Sequence, residues 1–417
     1  MIDRQDELDA RYRGLYPVRA GFLPAGRHGV TPFNRGLQAA AMRRDDAELE
    51  PSVQALARLM ERDGVVRMLV AEMIDEVDAA HRTVETPGEL LRQLDHIIRL
   101  APHWEDDPAK RHFFPMSTLF TYMMMTRAGE AAFRNRRFND ALRAILRAWC
   151  AYLDSPDSRD VLNEGPHGWL SPQAQRYNRL DTCRIPDKDA SHWGFASFNA
   201  FFHREIKPSE RPISAPADPR VVVSANDGTV YRVAREVASD APFWIKAQPY
   251  SVRDMLAGSP LTERFAGGDV LQSYLSGADY HRWHAPVAGT VVELRVVEGL
   301  MFSNLESMGN DISGMGSQGY YTNINTRGIC IIKADHPGLG HVCVMPVGIT
   351  EVSSIRHSVE AGDRVEKGQE IGRFSYGGSS MALLFERGAI ERFTAFVPDD
   401  PGRTGRIRVN AEIAIAT

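Results

Sequence analysis

The sequence predicts an α+β protein in which a helical N-terminal domain precedes a β-rich C-terminal domain. Two observations predict this order. Apolar residues in the N-terminal third recur at helical spacing, as in Leu90, Leu94 and Ile97. From about residue 220, β-branched runs are bounded by glycine, aspartate and proline, which is typical of short strands. We place the helical domain at 1–185 and the β-rich domain at 190–417.

Helix signals are concentrated before residue 155. Thr86-Pro87-Gly88-Glu89 has the form of a capping box with proline at the first helical position. Another helix is expected to begin near Ser52, and Gly64 is expected to interrupt it. A third apolar stripe, with arginines beside it, comprises Phe138, Leu142, Ile145, Trp149 and Leu153. We expect these apolar side chains to form packed core.

A region rich in proline, aspartate and serine connects the two predicted domains at 155–220 and includes one short helix at 197–204. The strands predicted after it cover 221–223, 229–233, 289–297, 329–333 and 342–347. No internal repeat of solenoid or propeller length is evident.

The composition is that of an ordinary globular protein, with 417 residues, 43% hydrophobic and 25% charged. The net charge of 49 − 54 = −5 argues against a nucleic-acid-binding protein. We find no apolar run long enough to cross a membrane, and the polar, acidic start is unlike a signal peptide. The cysteines are far apart and form no CxxC pair, so we expect no disulfide framework and a reducing cytoplasm. They are Cys150, Cys183, Cys330 and Cys343.

The first segment that can carry chemistry is Tyr280-His281-Arg282-Trp283-His284-Ala285-Pro286. Its two histidines can be a structural pair, one can be a general base, or both can ligate a metal. Side chains three apart on a strand point to opposite faces, and no cysteine or carboxylate set at zinc spacing accompanies them. A metal site is therefore the least favoured of the three interpretations.

The second segment is Ser224-Ala225-Asn226-Asp227-Gly228-Thr229-Val230. Asp-Gly between apolar runs is a strong hairpin signal and needs no function. An aspartate at this position can also orient a histidine, as in catalytic triads. Both interpretations of Asp227 stay open on the residues alone.

The third segment is Tyr376-Gly377-Gly378-Ser379-Ser380-Met381. Most Gly-Gly-Ser-Ser tetrads are loops, but this one follows one strand-like run and precedes another, so it is too well embedded for a linker. Two glycines permit unusual backbone geometry directly before a hydroxyl. The combination suits attack of Ser379 Oγ on the carbonyl of Gly378.

The fourth segment, 359–374, has glycines and alternating apolar residues that indicate tight turns between short strands. Together with His284–Leu294, it resembles the hammerhead half-motifs of biotinyl and lipoyl carrier domains. A carrier needs an exposed lysine at a hairpin tip. Lys367 lies instead in a turn that is structural in that pattern, so a non-enzymatic carrier or binding module is kept as an alternative of another class.

These segments together resemble the phosphatidylserine decarboxylase family, whose enzymes depend on a pyruvoyl group. Residues 198–213, FNAFFHREIKPSERPI, are similar to the opening of the family's catalytic domain. The SANDGTV, YHRWHAPVAGTV and GGSS segments then follow in family order, with Ser380 where many members have threonine. Residues 157–171 and GGSS also resemble the soluble branch of the family, which has a helical decarboxylase-associated domain and includes tryptophan decarboxylases.

The resemblance implies a self-cleaving precursor. Ser379 would attack Gly378, with His284 as base and Asp227 orienting it, to leave β (1–378) and α (379–417) chains. The α chain would begin with a pyruvoyl group made from Ser379, which would form a Schiff base with the substrate amine without pyridoxal phosphate or metal. His281 is the candidate proton donor in decarboxylation, and its replacement is expected to spare cleavage.

The substrate implied by the narrower resemblance is an aromatic L-amino acid, with tryptophan to tryptamine as the best candidate. Phosphatidylserine is the alternative, although no apolar anchor accompanies the sequence. The segment 300–325 is long and irregular, so we expect a substrate-covering loop in which Tyr320 and Tyr321 either line an aromatic pocket or pack. A homo-oligomer is compatible with the sequence, and no nucleic-acid partner is expected.

Overall fold

The structure is a computed structural model of the chain. It describes residues 29–44, 48–107, 110–240, 250–302, 318–351, 354–377, 379–396 and 405–417. Gly378 and the greater part of the predicted loop at 300–325 lie outside the described residues.

Helices and short 3-10 turns dominate the described chain as far as residue 202. The helices are α1 Val30–Met42, α2 Pro51–Arg62, α3 Gly64–Asp75, α4 Pro87–Ile98, α5 Pro115–Phe120, α6 Arg127–Arg134, α7 Arg136–Leu153, α8 Pro172–Tyr177 and α9 Phe198–Phe202. The predicted stripe of α7 is buried along its whole length, from Phe138 to Leu153. The tertiary packing of such apolar faces, more than intrinsic propensity, stabilises helices of this length.

Side chains at the helix ends set the predicted boundaries. At α4, the Thr86 hydroxyl accepts a hydrogen bond from the Glu89 amide at 3.2 Å, and the Glu89 carboxylate accepts one from the Glu85 amide at 3.0 Å. The predicted interruption at Gly64 is confirmed, because the Asp63 carboxylate accepts from the Val65 and Val66 amides and caps a new helix. These contacts satisfy backbone donors that have no partner within the helix.

Strands dominate from residue 221 onward. They are β1 Val221–Val223, β2 Gly228–Val237, β3 Gly268–Leu275, β4 Arg282–His284, β5 Gly289–Val297, β6 Arg327–Ala334, β7 His341–Gly348, β8 Ile355–His357, β9 Arg364–Val365, β10 Glu370–Phe374, β11 Ser379–Phe385, β12 Ile390–Phe393, β13 Arg406–Ile407 and β14 Glu412–Ala416. Within the described ranges, three short helices interrupt them, α10 Val252–Leu256, α11 Thr262–Phe265 and α12 Gln318–Ile324. The five predicted strands are confirmed.

Of the strands in the described residues, eight form the main sheet in the order β13-β2-β3-β11-β7-β6-β5-β9, and every neighbouring pair is antiparallel. Two three-stranded sheets, β1-β14-β12 and β4-β10-β8, accompany it. β11 lies in the interior of the main sheet, where Ser379 is opposite Leu275 of β3 and Gly348 of β7. The sheet therefore fixes the first residue of β11 from both sides.

Both faces of β11 are buried, in two different apolar clusters. Ala382 and Leu384 pack into a cluster shared with the N-terminal helices. Met381 and Leu383 pack into a second cluster within the β-rich part. Because side chains alternate along a strand, Ser380 shares the face that is turned to the helices and Ser379 shares the opposite face.

The predicted fold class, a helical part followed by a β-rich part, is confirmed. The boundary between 185 and 190 stays a prediction. Among the described residues, no helix combines the length and apolar character that crossing a membrane requires.

Candidate active site

Ser379 begins the interior strand β11 and has no exposed surface. Two residues earlier, Gly377 has φ +138°, a left-handed conformation that favours glycine. The Ser379 Oγ atom lies 3.5 Å from His281 Nδ1. The sheet thus holds the hydroxyl directly after a glycine turn and beside an imidazole.

The hydrogen bonds of His281 determine which of its nitrogens faces Ser379. Its Nε2 lies 3.0 Å from the Ser276 carbonyl oxygen, which can only accept, so Nε2 carries the proton. The Nδ1 lone pair is therefore free to accept a proton on the side of Ser379. Burial lowers the pKa of His281 to about 3 despite the carboxylate of Asp279 nearby, so the ring is neutral at physiological pH. Phe202 stacks on the ring with the centroids 4.0 Å apart.

His284 occupies a different environment, although it is only three residues away. Its Nδ1 donates to the Gly368 carbonyl at 2.7 Å, which leaves Nε2 to accept from the Tyr280 hydroxyl at 3.0 Å. Burial lowers the pKa of His284, and the charges of Glu370 and Asp227 partly oppose that shift. In the described part of the chain, no hydrogen bond joins His284 to Ser379.

Asp227 is buried and forms an ion pair with Arg211. Arg211 Nε donates to its Oδ1 at 2.9 Å, and Val409 donates its backbone N–H to the same oxygen at 2.8 Å. No hydrogen bond between Asp227 and His284 occurs among the described residues. The structure thus brings together Ser379 and His281 directly, whereas Asp227 acts on His284 through its charge.

Ser380 anchors the other face of the strand. Its hydroxyl donates to the Ser273 carbonyl and accepts from the Gln272 amide, both at 2.9 Å. The side-chain oxygen of Gln272 accepts from the Tyr250 hydroxyl at 2.7 Å. This buried network fixes the residue after Ser379, and sequence reasoning did not identify Gln272 or Tyr250.

Tyr376 ties the glycine turn to the helical part of the molecule. Its ring is 4% exposed and lies in a cage of four aromatic residues, at centroid distances of 5.3–5.8 Å. Its backbone N–H donates to Asn199 Oδ1 at 2.9 Å. Sequence reasoning missed this anchoring role. The position of Tyr376, directly before the Gly-Gly-Ser segment, could have indicated it. The cage consists of Phe114, Trp149, Phe198 and Phe202.

A polar cavity of about 260 Å³ lies beside these residues. Asp227 lines it directly. Ser276 and Tyr280, the hydrogen-bond partners of His281 and His284, line it as well. Asp227 lines this cavity, and His281 and His284 bond to its wall, but Ser379 does not line it. The cavity is therefore a candidate substrate cavity that adjoins the serine-histidine centre. No sequence signal identified Ser276, because it acts through its backbone carbonyl.

The two tyrosines predicted near the substrate lie on α12. Tyr320 accepts a hydrogen bond from Arg134 Nε at 2.9 Å and is 6% exposed. Tyr321 is fully buried. Both belong to the apolar cluster shared with the helices, and neither lines the polar cavity. A role for them in substrate binding stays a prediction.

Lys367 is unsuited to be the attachment lysine of a carrier domain. Its side chain is 9% exposed, and Nζ donates to the carbonyls of Ala215, Asp218 and Val221 at 2.7–3.1 Å. Burial lowers its pKa.

For metals, no group of three or more histidine, cysteine, aspartate or glutamate side chains in the described ranges is arranged to hold an ion.

Acid should destabilise the protein, because one buried and three half-buried histidines are held neutral in the folded state. Burial lowers the pKa of His281 to about 3 and those of His112, His203 and His357 to about 4. Below about pH 6.5 the unfolded chain binds protons at these positions and the folded chain does not, so the free energy of unfolding should fall as the pH falls toward 4.

Denaturant titrations between pH 7 and 4.5 measure this loss. His357→Leu is the matched variant, because both ring nitrogens of His357 are buried without a hydrogen-bond partner. Between pH 7 and 4.5, the free energy of unfolding of this variant should fall less than that of the wild-type protein. An equal loss in both proteins would show that His357 does not contribute to the pH dependence.

Fold and site together define an α+β protein with a buried serine-histidine centre at the start of an interior strand of an antiparallel sheet. A family model described as phosphatidylserine decarboxylase matches residues 198–413, and a second model of the same description matches residues 50–177. The chain belongs to the phosphatidylserine decarboxylase family, as the sequence predicted.

Curated relatives of the chain are decarboxylases. Decarboxylase iboD of Amanita muscaria is 35% identical over 72% of this chain and 90% of its own length. The L-tryptophan decarboxylase of Psilocybe cubensis is 30% identical over 87% of this chain and 85% of its own. The phosphatidylserine decarboxylase proenzyme of Chlamydia trachomatis serovar D is 30% identical over 65% of this chain and 81% of its own.

Proposed function

We propose that the chain is the precursor of a pyruvoyl-dependent decarboxylase and cuts itself between Gly378 and Ser379. The observation that carries the proposal is the Ser379 hydroxyl, which is fully buried at the first residue of β11, two residues after Gly377 with its φ of +138°. The products would be 1–378 and 379–417, the second with 417 − 378 = 39 residues. The name of the Chlamydia relative, a proenzyme, supports processing.

The surroundings of residue 379 fit a pyruvoyl group. The position is closed to solvent, its strand is hydrogen-bonded on both sides, and an unprotonated imidazole nitrogen faces it. The pyruvoyl group supplies the carbonyl that captures the substrate amine and withdraws the electron pair left by CO₂. Such a group comes from the chain itself, so the proposed enzyme uses neither pyridoxal phosphate nor metal.

His281 is the proposed proton carrier in turnover. Nδ1 faces residue 379 without a proton, so the ring must take up a proton that the substrate amine releases before it can donate one to the α-carbon after CO₂ has left. Burial opposes that uptake, because it lowers the pKa of the ring. The Ser276 carbonyl and the Phe202 ring keep Nδ1 directed at residue 379 through both transfers.

For self-cleavage we retain His284 as the base and Asp227 as the carboxylate that supports it, as the family resemblance implies. Burial lowers the pKa of His284, and the charge of Asp227, with that of Glu370, partly opposes this shift, which supports the pairing. The hydrogen bonds from His284 to Gly368 and from Tyr280 to His284 would have to rearrange for the ring to reach Ser379.

An α-amino carboxylate is the part of the substrate that this chemistry requires. L-Tryptophan, converted to tryptamine, is the proposal that the Psilocybe relatives support. Phosphatidylserine, converted to phosphatidylethanolamine, is the second candidate, and the Chlamydia relative supports it.

The four cysteines are unpaired, which supports a reducing compartment such as the cytoplasm.

Two measurements test the proposal. Intact-mass analysis of the purified protein should show a break after Gly378 and a ketone-bearing fragment that begins at position 379. Release of CO₂ from tryptophan, phenylalanine, tyrosine and phosphatidylserine vesicles then identifies the substrate. A wild-type protein that remains one chain of 417 residues would contradict the proposal.

The Tyr376 cage should control the rate of self-cleavage. Tyr376→Ala removes a buried ring next to the glycine turn, so the turn loses its packing and cleavage should slow at least about tenfold. Tyr376→Phe is the matched control, because the hydroxyl is buried without a hydrogen-bond partner. Both variants are followed by the fraction of cut chain over time and by the melting temperature. Equal rates in the Ala and Phe variants would exclude a role for the ring.

A further inference from the structure

The side chain of Asn199 holds the last backbone amide before the two glycines of the proposed cleavage site. The preceding amide, that of Ser375, donates to the backbone carbonyl of Ser354 at 3.2 Å. The amide of Tyr376 donates instead to a side-chain atom, Asn199 Oδ1, at 2.9 Å. Asn199 has no exposed surface, and a hydrogen bond in such a dry environment is costly to lose. The position of the Tyr376 backbone therefore depends on a side chain that can be replaced.

Asp154 determines the orientation of the Asn199 amide group. Asn199 Nδ2 donates to Asp154 Oδ1 at 2.9 Å, whereas its contacts with the carbonyl and Sγ of Cys150 are longer, at 3.5 and 3.7 Å. A carboxylate only accepts and a backbone N–H only donates, so Asp154 and Tyr376 both require Oδ1 to face Tyr376. The other oxygen of Asp154 accepts from Arg356 at 3.2 Å. A carboxylate thus orients an amide, and the amide holds the backbone.

Two helices of the helical part supply these side chains. Asn199 lies on α9, which also provides two rings of the Tyr376 cage. Asp154 directly follows α7, which provides a third ring of the cage, Trp149. The same two helices therefore hold the ring of Tyr376 by packing and its backbone by a hydrogen bond.

The peptide bond of the proposed cut lies between two fixed points. On one side, the pairing of β11 with β3 and β7 fixes Ser379. On the other side, Asn199 fixes the amide of Tyr376. Gly377 and Gly378 have no side chains to pack, so the position of the bond depends on the residues that flank them. A displacement of about 1 Å between reacting groups can slow a reaction about 100-fold, so loss of one fixed point should slow the cut.

We propose that Asn199, oriented by Asp154, is a positioning residue for self-cleavage. It touches no reacting atom, and it acts by holding the Tyr376 amide so that the carbonyl attacked by Ser379 stays in place. This inference rests on the proposed function and adds to it a task for α7 and α9, which is to position the segment that is cut. A wild-type protein that is never cut would contradict the proposed function, whereas the variants below test the role of Asn199 in a protein that is cut.

Asn199→Leu, in the full chain, should slow self-cleavage at least about tenfold, because it removes the acceptor and keeps the branched shape. Asn139→Leu is the matched control. Asn139 also has no exposed surface, and its Oδ1 accepts from the backbone N–H of Met301 at 3.0 Å, away from the cut. Cell-free synthesis followed by intact mass gives the fraction of cut chain over time, and the melting temperature reports stability. Both variants should melt at a lower temperature, but only Asn199→Leu should be cut slowly. Equal rates of cleavage in the two variants would overturn the proposal.

An exchange of the two side chains tests the orienting role of Asp154, and it keeps the proposal testable if Asn199→Leu does not fold. Asn199→Asp alone places two carboxylates side by side in a buried site, so cleavage should again slow at least about tenfold. Addition of Asp154→Asn restores one donor and one acceptor between the two positions, and cleavage should return to within about threefold of the wild-type rate. The exchange weakens the contact with Arg356, which is half exposed and contributes little. A doubly substituted protein that is cut as slowly as Asn199→Asp would contradict the orienting role.

Discussion

Ser379→Ala should leave the protein as one chain of 417 residues with no decarboxylase activity. The substitution removes the only atom at position 379 that can attack the preceding carbonyl, and with it the source of the pyruvoyl group. The fold should persist, because alanine fits a fully buried position on β11 and the strand pairing depends on backbone atoms. Intact mass and CO₂ release measure the two losses.

Ser380→Ala is the matched control for this experiment. Its hydroxyl is equally buried but is engaged with Ser273 and Gln272 on the opposite face of the strand. We expect it to be cut at the same bond, with a stability loss of about 1–3 kcal/mol from the broken hydrogen bonds. If Ser379→Ala were still cut after residue 378, Ser379 would not be the nucleophile and the proposed origin of the pyruvoyl group would be wrong.

His281→Gln should be cut into two chains but lose at least about 100-fold in CO₂ release, the usual contribution of a positioned proton carrier. Glutamine can still donate to the Ser276 carbonyl, so the pocket keeps its shape, but it cannot carry a proton to and from residue 379. The fraction of cut chain and the turnover of that cut fraction are measured separately.

His284→Gln is the matched variant and should give the opposite pattern. If His284 is the base for self-cleavage, its replacement should leave an uncut chain, and Asp227→Asn should slow cleavage through the loss of charge beside it. An uncut His281→Gln protein together with a cut His284→Gln protein would reverse the two roles. The 3.5 Å contact between Ser379 and His281 would then be the contact that starts cleavage.

The order of helices and strands could be predicted because its signals are local. The apolar spacing of Leu90, Leu94 and Ile97 and the capping box at Thr86 act within a few turns of one helix. The strand runs are likewise short β-branched segments between turn residues. Gly377 and Ser379 were also recognisable, because glycine freedom before a hydroxyl is a property of adjacent residues.

The partners of the site residues could not be predicted, because they depend on how the backbone turns and on which segments the sheet brings together. The partner of His281 Nε2 is only five residues away, whereas Ser379 is 98 residues away. Spacing alone gave no reason to prefer His281 over His284 as the neighbour of Ser379. The choice follows from the strand register that sets Ser379 opposite Leu275, next to the turn whose Ser276 carbonyl holds His281. Likewise, Asp227 is paired with an arginine that the residues gave no reason to select.

The sequence by itself determined the fold class, the glycine-serine segment, the two histidines and the family, because each is written in adjacent residues or in their order along the chain. Only the tertiary structure decided which histidine faces Ser379, which of its nitrogens is free, and which residues line the neighbouring cavity. These properties depend on burial, on the backbone turn that brings the Ser276 carbonyl to His281, and on the contact of His281 with Ser379, 98 residues away. Local sequence patterns do not encode them.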